Sequence, residues 1–217
     1  MADVFPIVIT ALTDSFNMDK RAPSEVFLSS TVTAADYRAF ERVKDKDSIA
    51  DFVYQRFQER YLKPFESKEH KHGFAMMACG CLMVEALQSF WTGSAKSGIS
   101  GPAFSNFFDR VERFACLREH SRLFYKHVRC GIMHQGETTG GWRIRRDASQ
   151  LFDSEHLVVD ATLFLSALEG SLRDYCDLLK ASDWDSEVWS RLLMKMRFVC
   201  EGTLVKKEYP ELPALTP

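Results

Sequence analysis

Several features that define common protein classes are missing from this sequence of 217 residues. There is no run of 18 apolar residues, so no membrane-spanning helix is expected. The N-terminus, MADVFPIVIT, is acidic where a signal peptide would be basic, and Pro6 interrupts its apolar stretch. We therefore expect a cytoplasmic protein.

The cysteine pattern indicates no disulfide framework. Six cysteines are scattered along the chain and most lie among apolar neighbours: residues 79, 81, 116, 130, 176 and 200. In a cytoplasmic protein this pattern is typical of reduced, mostly buried thiols.

Motifs of several enzyme classes are also absent. The sequence contains no Gly-x-Ser-x-Gly, no His-Glu-x-x-His and no zinc deaminase signature. SAKSGISG, residues 94–101, has the wrong order for a phosphate-binding loop, and no predicted strand precedes it. We therefore expect no nucleotide-triphosphate loop and no cofactor.

Metal ligands are sparse. His70 and His72, like Cys79 and Cys81, are two residues apart, and on a helix such side chains point about 200° away from each other. Neither pair can chelate a metal on an intact helix. A stripe at 127, 130 and 134 (His, Cys, His) has better spacing and leaves a three-ligand metal site as a minor alternative.

Charge is unevenly distributed. The net charge is −2, but residues 110–146 hold nine Lys or Arg against three acids, which is +6, so the rest of the chain carries −8. A basic segment in an acidic chain suggests a local site for an anion such as phosphate. A solvated helix face is the alternative interpretation.

Helical periodicity dominates and predicts an all-α bundle. Thr33 and Asp36 resemble a capping box, Ser48 and Asp160 are predicted caps, and Gly93 and Gly136 are predicted helix ends. The predicted helices are 6–12, 34–43, 49–62, 70–91, 103–114, 121–135, 161–179 and 185–199.

The organisation predicted is a single domain, 1–217, with an N-terminal extension, 1–47, a core of about 48–181 and a C-terminal helix within 183–203. The helical period is interrupted by GGWRIRRD and HLVVD, which are short and β-like. They predict a small two-stranded β hairpin inserted near residues 141–159.

The stretch VRCGIMHQGE, residues 128–137, carries the most functional information. On a helix Arg129 and His134 lie about 140° apart, so they flank a groove or meet a second copy across a two-fold axis. Gly131 costs a helix about 1 kcal/mol relative to Ala. Close approach of another backbone or of a ligand is the expected reason for this glycine.

Arg-x4-His near the end of a helix, in a mainly helical chain, resembles the motif of the HEPN domain (higher eukaryotes and prokaryotes nucleotide-binding). The resemblance covers about residues 48–179 and implies a helical bundle that forms a homodimer, with both motifs in one cleft. Many HEPN proteins are metal-independent endoribonucleases, some neutralised by a partner antitoxin. Others are non-catalytic modules that bind a nucleotide or a partner protein.

Carried onto this chain, the resemblance implies Arg129 and His134 as catalytic residues acting on RNA. Four basic side chains and one aromatic ring are predicted to bind the substrate, by tracking the RNA backbone and stacking on a base: Lys126, Arg143, Arg145, Arg146 and Trp142. Cys130 follows the arginine where active members often have Asn, Asp or another polar residue. This departure favours the non-catalytic alternative.

A purely structural interpretation of the same residues remains open at this stage. Arg129 would then pair with Glu85, the lone acid of the most apolar helix, and His134 would bond a carbonyl at the helix end. The basic residues would form the solvent face of the hairpin, and Trp142 its apolar cover.

Overall fold

The structure, a computed structural model, describes residues 26–66, 72–95 and 100–201. Within these ranges the α-helices are Ala34–Val43 (α1), Lys46–Phe57 (α2), Gly73–Thr92 (α3), Ser100–Arg110 (α4), Ser121–Phe124 (α5), Cys130–Gln135 (α6), Ala161–Ala181 (α7) and Glu187–Glu201 (α8). The mainly helical class is confirmed. The predicted helix at 6–12 and the end of the predicted C-terminal helix lie outside the described residues.

Shorter helical turns join or extend these helices. A π-helical turn, Tyr125–Arg129, links α5 to α6, and another, Gln58–Leu62, follows α2. Two 3-10 turns occur at Lys63–Phe65 and Glu112–Leu117. The second of these ends the predicted helix 103–114 early, because the backbone of Val111 is extended.

Four predicted helix boundaries are confirmed by hydrogen bonds or by backbone conformation, among them Gly93, which ends α3 in the left-handed conformation at φ +70°. Thr33 and Asp36 form a reciprocal capping box at α1, in which the Asp36 N–H donates to the Thr33 hydroxyl at 3.2 Å and the Thr33 N–H donates to the Asp36 carboxylate at 2.9 Å. Asp160 accepts from the Leu163 N–H at 2.8 Å and caps α7. Gly136 ends α6 in the left-handed conformation, at φ +72°.

The predicted cap of α2 is wrong. The helix begins at Lys46, and its cap is Asp45, whose carboxylate accepts from the Ser48 N–H at 3.1 Å. A carboxylate three residues upstream reaches the free N–H groups of the first turn, so Ser48 falls inside the helix.

Helix α3 lies at the centre of the core and contacts α4, α6, α7 and α8. Among the described residues it is long and apolar enough to cross a membrane by length and composition, although it contains no uninterrupted run of 18 apolar residues. Most of it is buried against the neighbouring helices. Gly80 allows this packing, since a Cβ there would lie 3.0 Å from the Phe164 ring.

The predicted hairpin is replaced by a three-stranded sheet. Its strands are Arg143–Arg145 (β1), Phe152–Asp153 (β2) and Val158–Asp160 (β3), in the order β1-β3-β2. β1 runs parallel to β3, and β2 runs antiparallel to it. The two segments predicted to form the hairpin therefore pair in parallel, because the chain between them supplies β2 and reverses direction twice.

The described part of the predicted N-terminal extension shares the main core. Val26, Leu28, Ala34 and Tyr37 are buried together with residues of the central helices. Tyr37 packs on Phe52 of α2, with ring centroids 5.8 Å apart. These residues therefore contribute to the same core as the central helices.

Candidate functional site at the Arg–His helix

The Arg-x4-His stretch lies on one continuous helix, residues 121–135, called here the motif helix. It consists of α5, the π-helical turn Tyr125–Arg129 and α6. In the π turn the Cys130 N–H donates to the carbonyl of Tyr125, five residues back. A π turn adds one residue to a helical turn, and such turns are frequent at functional sites.

Arg129 is anchored to the central helix. Its Nε donates to Glu85 Oε1 of α3 at 2.8 Å, and the two side chains are 15% and 12% exposed. The guanidinium also lies over the Tyr125 ring, 5.7 Å from its centroid. Burial lowers the pKa of Arg129, but the hydrogen bond and charge of Glu85 outweigh it, so the pKa is raised. The predicted pairing of Arg129 with Glu85 is thus confirmed.

His134 occupies the last turn of α6 and is exposed to solvent. Within the described residues no hydrogen bond connects its ring to a carbonyl, so the expected structural role at the helix end is not formed. Arg129 is bound to α3 while His134 faces water. No hydrogen bond among the described residues joins the two side chains.

Gly131 is explained by the backbone that follows the motif helix. A Cβ at this position would lie 2.4 Å from the carbonyl oxygen of Glu137 and 3.3 Å from Thr138 Cα. After Gly136 the chain returns across the helix, and the Thr139 N–H donates to the carbonyl of His127 at 3.0 Å. Of the two predicted reasons for this glycine, close approach of another backbone is confirmed.

The same return segment engages His127. Its Nδ1 lies 2.8 Å from the Thr139 hydroxyl. In the part of the chain that the structure describes, no three His, Cys, Asp or Glu side chains are placed to hold a metal ion. The alternative three-ligand site at 127, 130 and 134 is therefore not formed.

The predicted substrate-binding residues fall into different environments. Lys126 and Arg143 are exposed, and Arg143 donates to the carbonyl of His156 at 3.2 Å. Arg145 is also exposed, and two of its nitrogens bind Asp147 at 2.9 and 3.0 Å, a contact that raises the pKa of Arg145. Arg146 is half-buried. Of these predicted cations, Lys126 and Arg143 are exposed and form no ion pair with a described acid.

Trp142 is a core residue, so its predicted stacking on a base is wrong. The side chain is 3% exposed, and its ring stacks on Phe152 at 5.1 Å between centroids. Phe124 of the motif helix meets it edge-on at 6.0 Å. Its role is the alternative one, as apolar cover between the sheet and the bundle.

Two features near the site were not foreseen. Tyr125 lies under the Arg129 guanidinium, and its signal is an aromatic residue four positions before an arginine on a helix. A cleft of about 520 Å³ opens beside Cys116, Arg118 and His120, and it includes none of the predicted site residues.

No protein-family model, no curated protein and no solved structure matches this chain.

Proposed function

We propose that this protein is a HEPN-like endoribonuclease that cleaves RNA without a metal ion, acting as a homodimer through Arg129 and His134. One observation carries this proposal. The motif helix presents a solvent-exposed imidazole, His134, on the same short segment as a guanidinium that a carboxylate holds in place. Proton transfer and phosphate binding are the two tasks that RNA cleavage requires of side chains.

The reaction needs no external oxidant or metal. The 2′-hydroxyl of one nucleotide attacks the adjacent phosphorus, and the bond from phosphorus to the 5′-oxygen breaks. One imidazole accepts the 2′-hydroxyl proton and a second, protonated imidazole donates a proton to the leaving 5′-oxygen. The products are a 2′,3′-cyclic phosphate and a 5′-hydroxyl. Histidine suits both steps because it changes protonation near neutral pH.

Arg129 would bind the phosphate that carries the developing charge. Its contact with Glu85 uses Nε, so the fork of terminal amino groups keeps a fixed orientation. A preoriented guanidinium stabilises a charged transition state without reorganising during the reaction. The exposed Lys126 would guide the RNA backbone toward it.

The homodimer supplies what one chain lacks. A single chain has one exposed motif histidine, whereas the reaction uses a base and an acid. Large apolar side chains lie exposed by 39–47% on α3 and on the motif helix: Phe74, Leu82, Leu123 and Met133. A second copy packed against them would bury apolar area and bring two motifs into one cleft.

The direct test is cleavage of a mixed RNA pool with EDTA present. Wild type should cleave and His134→Ala should not, while His156→Ala, which removes another exposed histidine, should retain full activity. For Arg129 the double variant Glu85→Gln/Arg129→Gln replaces the ion pair by two amides and avoids an unpaired carboxylate. Equal cleavage by wild type and His134→Ala would reject the assignment.

A second candidate is a non-catalytic HEPN-like dimer that binds a nucleotide or a partner protein such as an antitoxin. The Arg129–Glu85 ion pair favours it, because this contact gives the arginine a structural role that needs no substrate. Cys130 after the arginine points the same way. RNA or nucleotide binding without cleavage, weakened by Lys126→Gln, would select this function.

A further inference from the structure

A second cationic site lies where the end of α2, the C-terminal part of α3 and α8 meet. It is a pocket of about 150 Å³. Three cations and three aromatic rings contribute to its lining: Arg56, Arg60, Lys195, Phe57, Tyr61 and Phe90. We call it the α2–α8 pocket.

The cations of the α2–α8 pocket are not neutralised by neighbouring acids. No carboxylate lines the pocket, and within residues 26–66, 72–95 and 100–201 no Asp or Glu forms an ion pair with Arg56, Arg60 or Lys195. Glu59, on the same turn as Arg60, instead accepts from the backbone N–H of Ser30 at 3.0 Å and from the Ser30 hydroxyl. The acid closest in sequence is thus already occupied.

Two of the three cations, Arg56 and Lys195, have lowered pKa values because they are buried close to other positive charges. Burial, and second to it the charge of Arg60, together lower the pKa of Arg56 to about 10. Burial also lowers the pKa of Lys195, with the charge of Arg56 as the second cause. The protonated groups therefore disfavour one another, and an anion between them would relieve that repulsion.

Hydrogen bonds to backbone carbonyls hold two of the three cations at the pocket. Arg56 donates to the carbonyl of Leu28, and Lys195 Nζ donates to the carbonyl of Ala95 at 3.0 Å. These carbonyls carry no net charge, so they orient the cations without cancelling them. The π-helical turn Gln58–Leu62 begins directly after Phe57 and carries Arg60 and Tyr61 into the lining.

We propose that the α2–α8 pocket binds a phosphate group as its dianion. Three cations match a dianion, and charge-assisted hydrogen bonds from guanidinium groups suit phosphate oxygens in particular. The Ser89 side chain also lines the pocket, but its hydroxyl donates to the Ala86 carbonyl at 2.6 Å, so the donors for an anion are the three cations. The volume accommodates a phosphate group and a few further atoms, but not a whole nucleotide. The group is either free phosphate or the terminal phosphate of a larger molecule.

Calorimetric titration of the full-length protein tests this site. Inorganic phosphate, up to about 10 mM and against chloride of equal ionic strength, should bind wild type. Arg60→Gln and Lys195→Gln should each weaken binding about tenfold or more, since each removes a charge-assisted hydrogen bond. The matched control Arg38→Gln removes an exposed arginine of α1 that does not line the pocket and should leave the affinity unchanged.

A stability measurement separates binding from folding. In phosphate-free buffer Arg60→Gln should unfold at the same temperature as wild type or higher, because it removes a repelling charge. Adenosine monophosphate that binds more tightly than inorganic phosphate, with adenosine inert, would identify a terminal phosphate. Equal affinity for the two would identify free phosphate. Absence of phosphate binding, or binding unchanged in Arg60→Gln and Lys195→Gln, would overturn the proposal. The outcome is independent of RNA cleavage at His134.

Discussion

Replacing Gly131 by alanine tests whether the returning backbone, rather than chance, dictates a glycine inside the motif helix. The added Cβ would lie 2.4 Å from the carbonyl oxygen of Glu137, well inside the 3.0 Å that real Cβ contacts essentially never cross. The oxygen must therefore move by about 0.6 Å. Because it belongs to the backbone, it cannot rotate away as a flexible side chain would.

The magnitude follows from two opposing effects. Overpacking against a fixed atom costs about 3 kcal/mol at its upper end. Alanine returns about 1 kcal/mol of helix propensity relative to glycine. The net loss in the free energy of unfolding should be about 2 kcal/mol, which for a chain of this size lowers the melting temperature by roughly 4 to 8 °C.

The assay is thermal and urea unfolding followed by circular dichroism, with Gly101→Ala as the matched control. At Gly101 the nearest atom to a new Cβ is a Tyr125 ring carbon at 3.5 Å, an ordinary contact, so this variant should keep or gain stability. Amide exchange at Thr139 should also accelerate in Gly131→Ala, since the displaced segment loses its bond to the His127 carbonyl. Equal stability of Gly131→Ala and Gly101→Ala would refute the reasoning.

Three further predictions concern the anchored arginine, the buried tryptophan and alkaline pH. Arg129→Ala should lower the free energy of unfolding in urea by about 2 to 3 kcal/mol, because the Glu85 carboxylate, 12% exposed, loses its cation. The double variant Arg129→Ala/Glu85→Gln should recover part of this loss, and no recovery would contradict the pairing. Trp142→Ala should lower the free energy of unfolding by about 3 to 5 kcal/mol, because it empties the space of a buried ring. A loss below about 1 kcal/mol would place the ring outside the core. Burial raises the pKa of Cys176 to about 12, whereas the thiol of the unfolded chain has a pKa of about 8.5. Between these pH values the unfolded state loses the proton and the folded state keeps it. The free energy of unfolding is therefore unaffected below about pH 8.5 and falls as the pH rises toward about 12. Urea unfolding between pH 8.5 and 10 should therefore show a shallower loss of stability in Cys176→Ala than in wild type, and equal slopes would exclude this linkage.

Local capping signals were predictable because they depend on residues three apart. The box at Thr33 and Asp36, the cap at Asp160 and the end at Gly136 each rest on a hydrogen bond or backbone conformation set within one turn. The start of α2 was predicted three residues too late because Asp45 and Ser48 are both residue types that cap helices. The carboxylate further upstream prevails.

Features that depend on distant partners were not predictable from local patterns. The parallel pairing of Arg143–Arg145 with Val158–Asp160 requires a third strand that is only two residues long. Trp142 was assigned from the basic residues beside it, whereas Phe152, ten residues away, determines its burial. The π turn at Tyr125–Arg129 leaves no mark on an apolar stripe, since one inserted residue per turn shifts the stripe only slightly.

At the candidate site the Arg129–Glu85 contact was foreseeable because an acid alone in an apolar helix needs a cation nearby. The exposure of His134 was not, since a helix end offers carbonyls that a histidine can bond. The α2–α8 pocket gave no sequence signal at all, because Lys195 lies 135 positions from Arg60.

The most direct test of RNA cleavage through the 2′-hydroxyl is digestion of one end-labelled RNA in EDTA by wild-type protein. It is compared with the same strand carrying 2′-deoxyribose at the cleaved position. The account predicts that only the ribose strand is cut, that the fragments end in a 2′,3′-cyclic phosphate and a 5′-hydroxyl, and that His134→Ala leaves the strand intact. Cleavage of the deoxy strand at that position, or an intact ribose strand with wild type, would contradict it.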